Sequence, residues 1–598
     1  MDARSVLAEC PLFVGLSAAA LDALAARAEM LEVPSGHTVV NRGARPESIY
    51  IVATGRLCAV LPDNSIAGLI GRLEPVGEIG TLSGEPHMAS VHAVRDSVLV
   101  RLPGAHLYAV IEQYPEALLA MTQVIIRRLR HNRTLRRSQQ QQQSRSFAVV
   151  VGSPGADALM VANHLCAALA PMKKVRLLTA ESVDADLGEG VCRTPGDSSS
   201  VNQRLITYLN QIETENGYLV YVAEAADPWA RRSMRQADRI LFVVDADSPP
   251  MASKMLEQLR ECSTRAPIEL VVIRADGMDA PAMLTWRERT NARAHYYVRR
   301  DNVVDFTSLA RQLTERGIGL VLGGGGARGF AHIGLLRALE ELQIPVDLVG
   351  GSSMGAFFSA LVACGKKHGE ILDIARRTFV QQNLLNDFLF PTVALIRGRK
   401  FLRHLQQVVF GEQQIEALRM PFFCVSTNLT RGGISVHDQG PLALWVATSM
   451  AVPGVVPPVV FRGELLCDGA VANSLPTDVM YAMERGPIIA SDVSTEGGIA
   501  APGIEGPDPE GLLHMRGGGE RPRLFSIMFR TATLTSESGT ARRAEHADAY
   551  LRMPIEGVGL FDWKKLDEVV ERGYRHALER LTPIRDQLCA PEGAQPRS

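Results

Sequence analysis

The sequence is short of three things. It has almost no net charge, since 63 Lys and Arg against 65 Asp and Glu leave −2. No global field would therefore gather nucleic acid or bind an acidic surface. Its nine cysteines, Cys10, Cys58, Cys166, Cys192, Cys262, Cys364, Cys424, Cys467 and Cys589, contain no CxxC pair. An odd, unpatterned set argues against a disulfide framework and against a zinc site, and suits a reducing cytoplasm. There is also no long, clean apolar run. The most apolar stretch, 441–460, holds Pro453, Gly454, Pro457 and Pro458, which a membrane-spanning helix tolerates poorly. The opening MDARSVLAECPLFVGLS has acids early and no extended apolar core, unlike a secretory signal. The expectation is a cytoplasmic protein, with peripheral membrane contact left open.

What is present is an ordinary globular composition, 46% hydrophobic and 21% charged over 598 residues, long enough for three or four cores. The composition breaks at 138–146, SQQQQQSRS, which has nothing to bury. Just before it, VIIRRLRHNRTLRR (124–137) reads as a basic helical tail. It is either a solvated helix leading into a linker or a patch for an anionic membrane or nucleic acid. No internal repeat is found. The expected organisation is 1–135, a linker at 136–146, 147–314, 315–585, and a flexible tail at 586–598.

Residues 1–135 open with a helical segment, 18–30. Short apolar runs broken by glycine follow (HTVVNRG, SIYIVATGRLCAVL, SIAGLIGRL, SVLVRL), and helices begin near Gly104. This pattern predicts a small β-roll or barrel. In 147–314 the runs FAVVVG, KVRLLT, YLVYVAE, RILFVVD and IELVVI are separated by helix-length stretches. Strands apolar on both faces and spaced in this way predict a parallel sheet covered by helices, a Rossmann-like α/β domain. The first of them ends in Gly152-Ser153-Pro154-Gly155, where a nucleotide loop would sit, but the lysine and hydroxyl of G-x-x-x-x-G-K-[ST] are missing. The arrangement is similar in topology to a ParA/MinD-type ATPase domain without its active site. From 315 onward, IGLVLGGGGARGFAHIGLLRALEEL and IPVDLVGGSSMGAFFSALVACG are two strand–loop–helix units, predicting a second α/β sheet.

The second unit contains Gly351-Ser352-Ser353-Met354-Gly355, a G-x-S-x-G between an apolar strand and a helix. The letters alone are common by chance. In this context the glycines permit a tight turn that lifts Ser353 out of the sheet at a helix N-terminus, where developing negative charge is favoured. The glycine run 323–326 can aim backbone amides into one cavity, to hold a phosphate or an oxyanion. By itself it does not choose between them; the serine one unit later favours the oxyanion. Serine also needs a base, and Asp468, at a strand end before Gly469, is a candidate beside the plainer reading of Asp-Gly as a turn. His332 and His437 are the histidines available for a triad.

G-G-G-x-R-G, then G-x-S-x-G, then D-G-A, in that order, resembles the patatin-like phospholipase family. The match runs over about 317–581, with FFCVSTNLTRGG, ALWVATSMAVPGVVPPV and DGAVANSLPTD in support, and FDWKKLDEVVERGYRHALERL resembles its neuropathy-target-esterase-like branch. The resemblance implies a serine lipid-acyl hydrolase working as a dyad, with Ser353 as nucleophile and Asp468 as its partner. The amides of Gly324, Gly325 and Gly326 would form the oxyanion hole, Arg328 would steady that loop, and His332 would be packing. Gly351, Gly355 and Gly469 complete the motifs. A phospholipid or lysophospholipid would be the substrate, and no metal or cofactor is required.

Residues 77–91, GEIGTLSGEPHMASV, resemble the phosphate-binding cassette of cyclic-nucleotide-binding domains, across about 8–130. In that cassette a glutamate takes the ribose hydroxyl, and Glu78 is present. The position of the phosphate-binding arginine holds His87, and a neutral imidazole does not replace a bidentate guanidinium. A structural or regulatory roll without nucleotide is therefore expected, and a cyclic nucleotide is the regulator the resemblance would offer. Two other function classes stay in view. One is an inactive lipid-binding or sensor scaffold. The other is a nucleotide-controlled transcription factor, which would need a recognition helix after the roll, where a glutamine linker stands.

Overall fold

In the computed structural model the described residues are 2–61, 66–115, 117–118, 121–122, 145–194, 199–262, 264, 266–274, 281–382, 384, 386–390, 392–494, 506–508, 510–514 and 524–589. The basic tail and almost all of the glutamine linker lie outside them. The chain divides into two compact units, 1–277 with 284–310 and 278–283 with 311–598.

The first unit begins with a β-roll of two four-stranded antiparallel sheets. Its strands are β1 (Glu29–Val33), β2 (Thr38–Val40), β3 (Ser48–Thr54), β4 (Leu57–Val60), β5 (Ile66–Ile70), β6 (Pro75–Val76), β7 (Ser90–Ala93) and β8 (Ser97–Pro103). The orders are β1-β8-β3-β6 and β2-β7-β4-β5. The expected helix 18–30 is shorter: Ala18–Ala25 is helical, and Met30 lies in β1 paired with Val100. Cross-strand pairing takes residues that propensity left undecided.

The same unit continues with β9 (Ser146–Val151), β10 (Val175–Leu178), β11 (Tyr218–Ala223), β12 (Arg239–Asp245), β13 (Ile268–Ile273) and β14 (Ala294–Val298). They form one parallel sheet in the order β10-β11-β9-β12-β13-β14. Five were legible as apolar runs. β14 was not, because as an edge strand it alternates half-buried and buried residues, with His295 and Tyr297 on the open face. The roll meets this sheet through a buried ion pair, Arg56 to Asp238 at 3.0 Å, and a part-buried one, Arg95 to Glu213 at 2.7 Å.

The second unit holds β15 (Gly319–Leu322), β16 (Leu348–Ser352), β17 (Phe422–Asn428), β18 (Ile434–His437), β19 (Val459–Phe461), β20 (Glu464–Asp468), β21 (Ile488–Asp492) and β22 (Ala549–Arg552). Their order is β19-β20-β17-β16-β15-β21-β22, with β18 also on β17. β17, β16, β15, β21 and β22 are mutually parallel, whereas β18 and β20 run antiparallel to β17. Helices Ala331–Glu341, Met354–Ala363 and Leu566–Leu581 contribute Ile333, Phe357, Phe358 and Val569 to a core with Leu320, Leu322 and Val349. The apolar stretch 441–460 becomes a short helix, Leu442–Ser449, a turn, and the start of β19. Among the described residues no helix is long and apolar enough to cross a membrane. Residues expected as tail are in part ordered: Arg585–Cys589 is helical, and Leu588 is buried in this core.

Candidate active site

Sheet order does the first positioning. β16 ends at Ser352, which is level with Val425 of the parallel strand β17, and the next residue of β17, Ser426, is opposite Asp468 of antiparallel β20. Two residues 115 apart in sequence are thus delivered to one level of the sheet. Ser353 leaves β16 with φ 52° and ψ −121°, outside the ordinary regions for a non-glycine residue. Motif glycines make room for this turn: a Cβ on Gly355 would stand 1.9 Å from the Leu322 carbonyl oxygen, and one on Gly351 2.5 Å from the Gly355 carbonyl carbon. The helix Met354–Ala363 follows at once.

The Ser353 hydroxyl donates to Oδ2 of Asp468 at 2.7 Å. Asp468 has no exposed surface, and its Oδ1 accepts from the Ala470 amide at 2.9 Å. Burial pushes its carboxyl up to about 7, with the bonds from Ser353 and Ala470 working in the opposite direction. Gly469 is needed because a Cβ there would meet the Val425 carbonyl oxygen at 2.3 Å. Two further groups hold this pair. Ser449 Oγ accepts from the Ser353 amide at 2.9 Å and donates to the Val425 carbonyl at 2.6 Å. Thr427 Oγ1 donates to the Asp468 carbonyl at 2.8 Å. Both side chains sit in segments that carry the family resemblance, but no motif spacing ties either of them to the serine.

The glycine loop differs from the expectation at one position. The Gly324 amide donates to the Ser474 carbonyl at 2.9 Å, so it is already committed. Gly324 is instead a contact residue, since a Cβ there would lie 3.1 Å from Ser353 Cβ. The amides of Gly325 and Gly326 open the turn Gly326–Phe330 and make no hydrogen bond among the described residues. Gly326 has φ 58°, and a side chain there would run into the Leu560 carbonyl oxygen at 2.4 Å. The segment carrying Leu560 also anchors the loop: Ala327 N–H donates to Leu560 at 2.9 Å, and Arg328 Nε donates to the Val558 carbonyl at 2.9 Å.

Neither candidate histidine reaches the pair. His332 is fully buried between Ser491 Oγ (2.8 Å from Nδ1) and the Gly323 carbonyl (2.9 Å from Nε2), and burial lowers it to about 4. It is neutral and braces the strand that feeds the glycine loop. His437 bonds Ser426 and stacks on Trp445.

From Ser353 and Gly326 a cavity of about 570 Å³ extends between Met354, Phe379, Phe401, Leu402, Leu444 and Val456. Its wall is mostly apolar, with Gln381, Gln382, Arg397 and Arg399 also on it, and suits a hydrocarbon group.

The nucleotide-type cassette is built differently. Glu78 is buried in the first turn of the six-residue helix Glu78–Ser83. The His87 ring lies against that turn, with Cε1 3.3 Å from where a Gly77 Cβ would stand and Nδ1 3.3 Å from the same point on Gly80. Partial burial lowers His87 below the usual imidazole range.

Three family models match separate segments of the chain. Residues 320–481 match the family model "Patatin-like phospholipase", 143–317 the model "Neuropathy Target Esterase family P-loop like domain", and 30–114 the model "Cyclic nucleotide-binding domain". An NTE family protein of Mycobacterium tuberculosis is 30% identical over 590 residues, 96% of this chain and 95% of that one. The chain belongs to the NTE family. Human "Patatin-like phospholipase domain-containing protein 6" is 30% identical over 91% of this NTE family chain, which spans only 44% of the human protein. "Lysophospholipase nte1" of Aspergillus fumigatus is 27% identical over 94% of the chain and 42% of its own length.

Proposed function

We propose that this NTE family chain is a serine hydrolase of phospholipid or lysophospholipid acyl esters, with Ser353 as nucleophile and Asp468 as its base. The observation that carries the reading is the buried 2.7 Å hydrogen bond from Ser353 to Asp468, with Ser353 lining a largely apolar cavity. Ser353 Oγ attacks the ester carbonyl carbon while Asp468 accepts its proton, and the carbonyl oxygen takes up the negative charge at the Gly325 and Gly326 amides. Collapse breaks the ester bond, and Asp468 returns the proton to the departing alcohol oxygen. Water then gives a proton to Asp468 and attacks the acyl-serine carbonyl carbon, and collapse releases the fatty acid as Asp468 returns that proton to the departing Ser353 Oγ.

A carboxyl titrating near 7 suits both halves of the cycle, because it can hold the proton and yet be ionised at the start. No metal or cofactor enters these steps. In the roll, the neutral His87 filling the turn beside Glu78 supports a regulatory or structural role without bound nucleotide.

The test is covalent labelling by a fluorophosphonate, together with fatty-acid release from a panel of lysolipids and diacyl lipids, with and without cyclic nucleotides. Labelling and release by the wild type, both lost in Ser353→Ala, is the expected result. An unlabelled, inactive wild type would leave the scaffold reading standing.

A further inference from the structure

Beside the cavity lies a loop that leaves three large apolar side chains uncovered. Phe388, Phe390 and Val393 are 74%, 83% and 63% exposed. Large side chains exposed together at a loop tip are costly in water unless something covers them. The loop is not loosely attached. Asp387 and Arg397 are joined by a backbone bond of 2.9 Å, Leu389 and Leu395 by another of 2.9 Å, and Leu395 and Ile396 donate to Gly454 and Val455 at 3.0 Å each. Leu384, Ile396 and Val455 line the cavity, so the loop springs directly from its rim. A second exposed pair, Val460 and Phe461, follows the lining residue Val459 in β19.

Charge is placed to match. Immediately after the tip come Arg397, Arg399, Lys400 and Arg403, all exposed. Within the described part of 384–403 the one acid is Asp387, and it accepts from the Gly398 and Lys400 amides at 3.4 and 3.3 Å. Aromatic tips backed by a cationic collar match the boundary of an anionic bilayer, with acyl chains below and phosphates above. A protein partner would be expected to supply acids at fixed points; nothing in the collar's spacing along 397–403 selects one.

We infer that the described residues of 386–403 form an interfacial anchor: Phe388, Phe390 and Val393 enter an anionic phospholipid bilayer, the four cations meet its headgroups, and the cavity opens onto the membrane. This deepens the lipid-hydrolase reading and rests on it for its purpose, though not for its test.

The test uses the full chain and sedimentation with vesicles of phosphatidylcholine, with and without a third of phosphatidylglycerol. Turnover of a short-chain soluble ester is followed in parallel. Wild type is expected on the anionic vesicles. Phe388→Ser/Phe390→Ser should lower partitioning on the order of a hundredfold, with soluble-ester turnover retained, since neither ring lines the cavity. Lys400→Glu/Arg403→Glu should lose about tenfold or more on anionic vesicles only. Equal binding by wild type and the double Phe variant, or no vesicle binding by wild type, would overturn the anchor. If wild type binds vesicles but turns over no ester, the catalytic reading fails while the Phe comparison still decides the anchor.

Discussion

Two glycine loops in this chain stand at the ends of central strands that pair in parallel with their neighbours, and only one has the makings of a reaction site. At Gly152–Gly155, after β9, the first amide, the Ser153 hydroxyl and the last carbonyl are taken up internally. Gly152 N–H donates to Val243 at 2.7 Å, Asp245 N–H to Ser153 Oγ at 2.8 Å, and Arg300 spans the Gly155 carbonyl and Asp245. Asp157 then caps the following helix by accepting from Met160, placing a carboxylate where an anion would have to sit. At Gly323–Gly326, after β15, two amides are spent on structure and two are left, and the neighbouring strand supplies a serine backed by a buried acid. A glycine loop at a strand end is therefore only an opportunity. The next strand's serine, backed by a buried acid, turns it into a site.

The sharpest way to break this comparison is at the serine. Ser353→Ala should reduce fatty-acid release by roughly 10⁴-fold or more, whereas Ser153→Ala in the other loop should leave release unchanged; both are read in one release assay. Asp468→Asn should cost about 10³-fold and also change stability. The folded-state pKa of Asp468 lies above its unfolded value, so its stabilising share is complete below about pH 4 and disappears as pH rises through about 7. The variant should thus melt higher than wild type at pH 8, and the gap should close towards pH 4; an unchanged gap would contradict the buried, perturbed acid.

Gly326→Ala should cost about a hundredfold in kcat, because the loop must shift away from Leu560 and misplace a donor. Gly155→Ala, with φ 79° but only Asp245 at 3.8 Å, should cost about 1 kcal/mol of stability and no activity, by chemical denaturation and the release assay. Over the pH range, kcat/KM should rise about tenfold per unit below 7 and level off above it, following ionisation of one carboxyl. Arg300→Ala is the smallest expected effect: a half-exposed ion pair contributes at most about 1 kcal/mol, and turnover should be unchanged.

Legibility followed burial and locality. The five strands β9 to β13 could be read because each is a run of apolar residues confined to a few positions. β14 escaped because half its residues face outward. The helix at 18–30 was over-extended because Met30 and Leu31 are neutral between states until β8 pairs with them. In the site, Ser353, Asp468 and the glycine loop were legible since each sits in a short motif whose chemistry is local. Ser449 and Thr427 were not, since what they hold is set by a contact 96 and 41 residues away in the chain.

The sequence alone determined which residues could carry acyl transfer: a serine in a turn only glycines allow, a run of glycine amides, and an acid at a strand end. It also placed His87 in a segment that resembles the cassette of cyclic-nucleotide-binding domains. Only the tertiary structure decided that Ser353 and Asp468 are 2.7 Å apart, that Gly324 spends its amide on Ser474, and that burial raises the acid to about 7. Covalent turn preferences are written in neighbouring residues, whereas sheet order, burial and the competition for each amide arise only when distant strands are brought side by side.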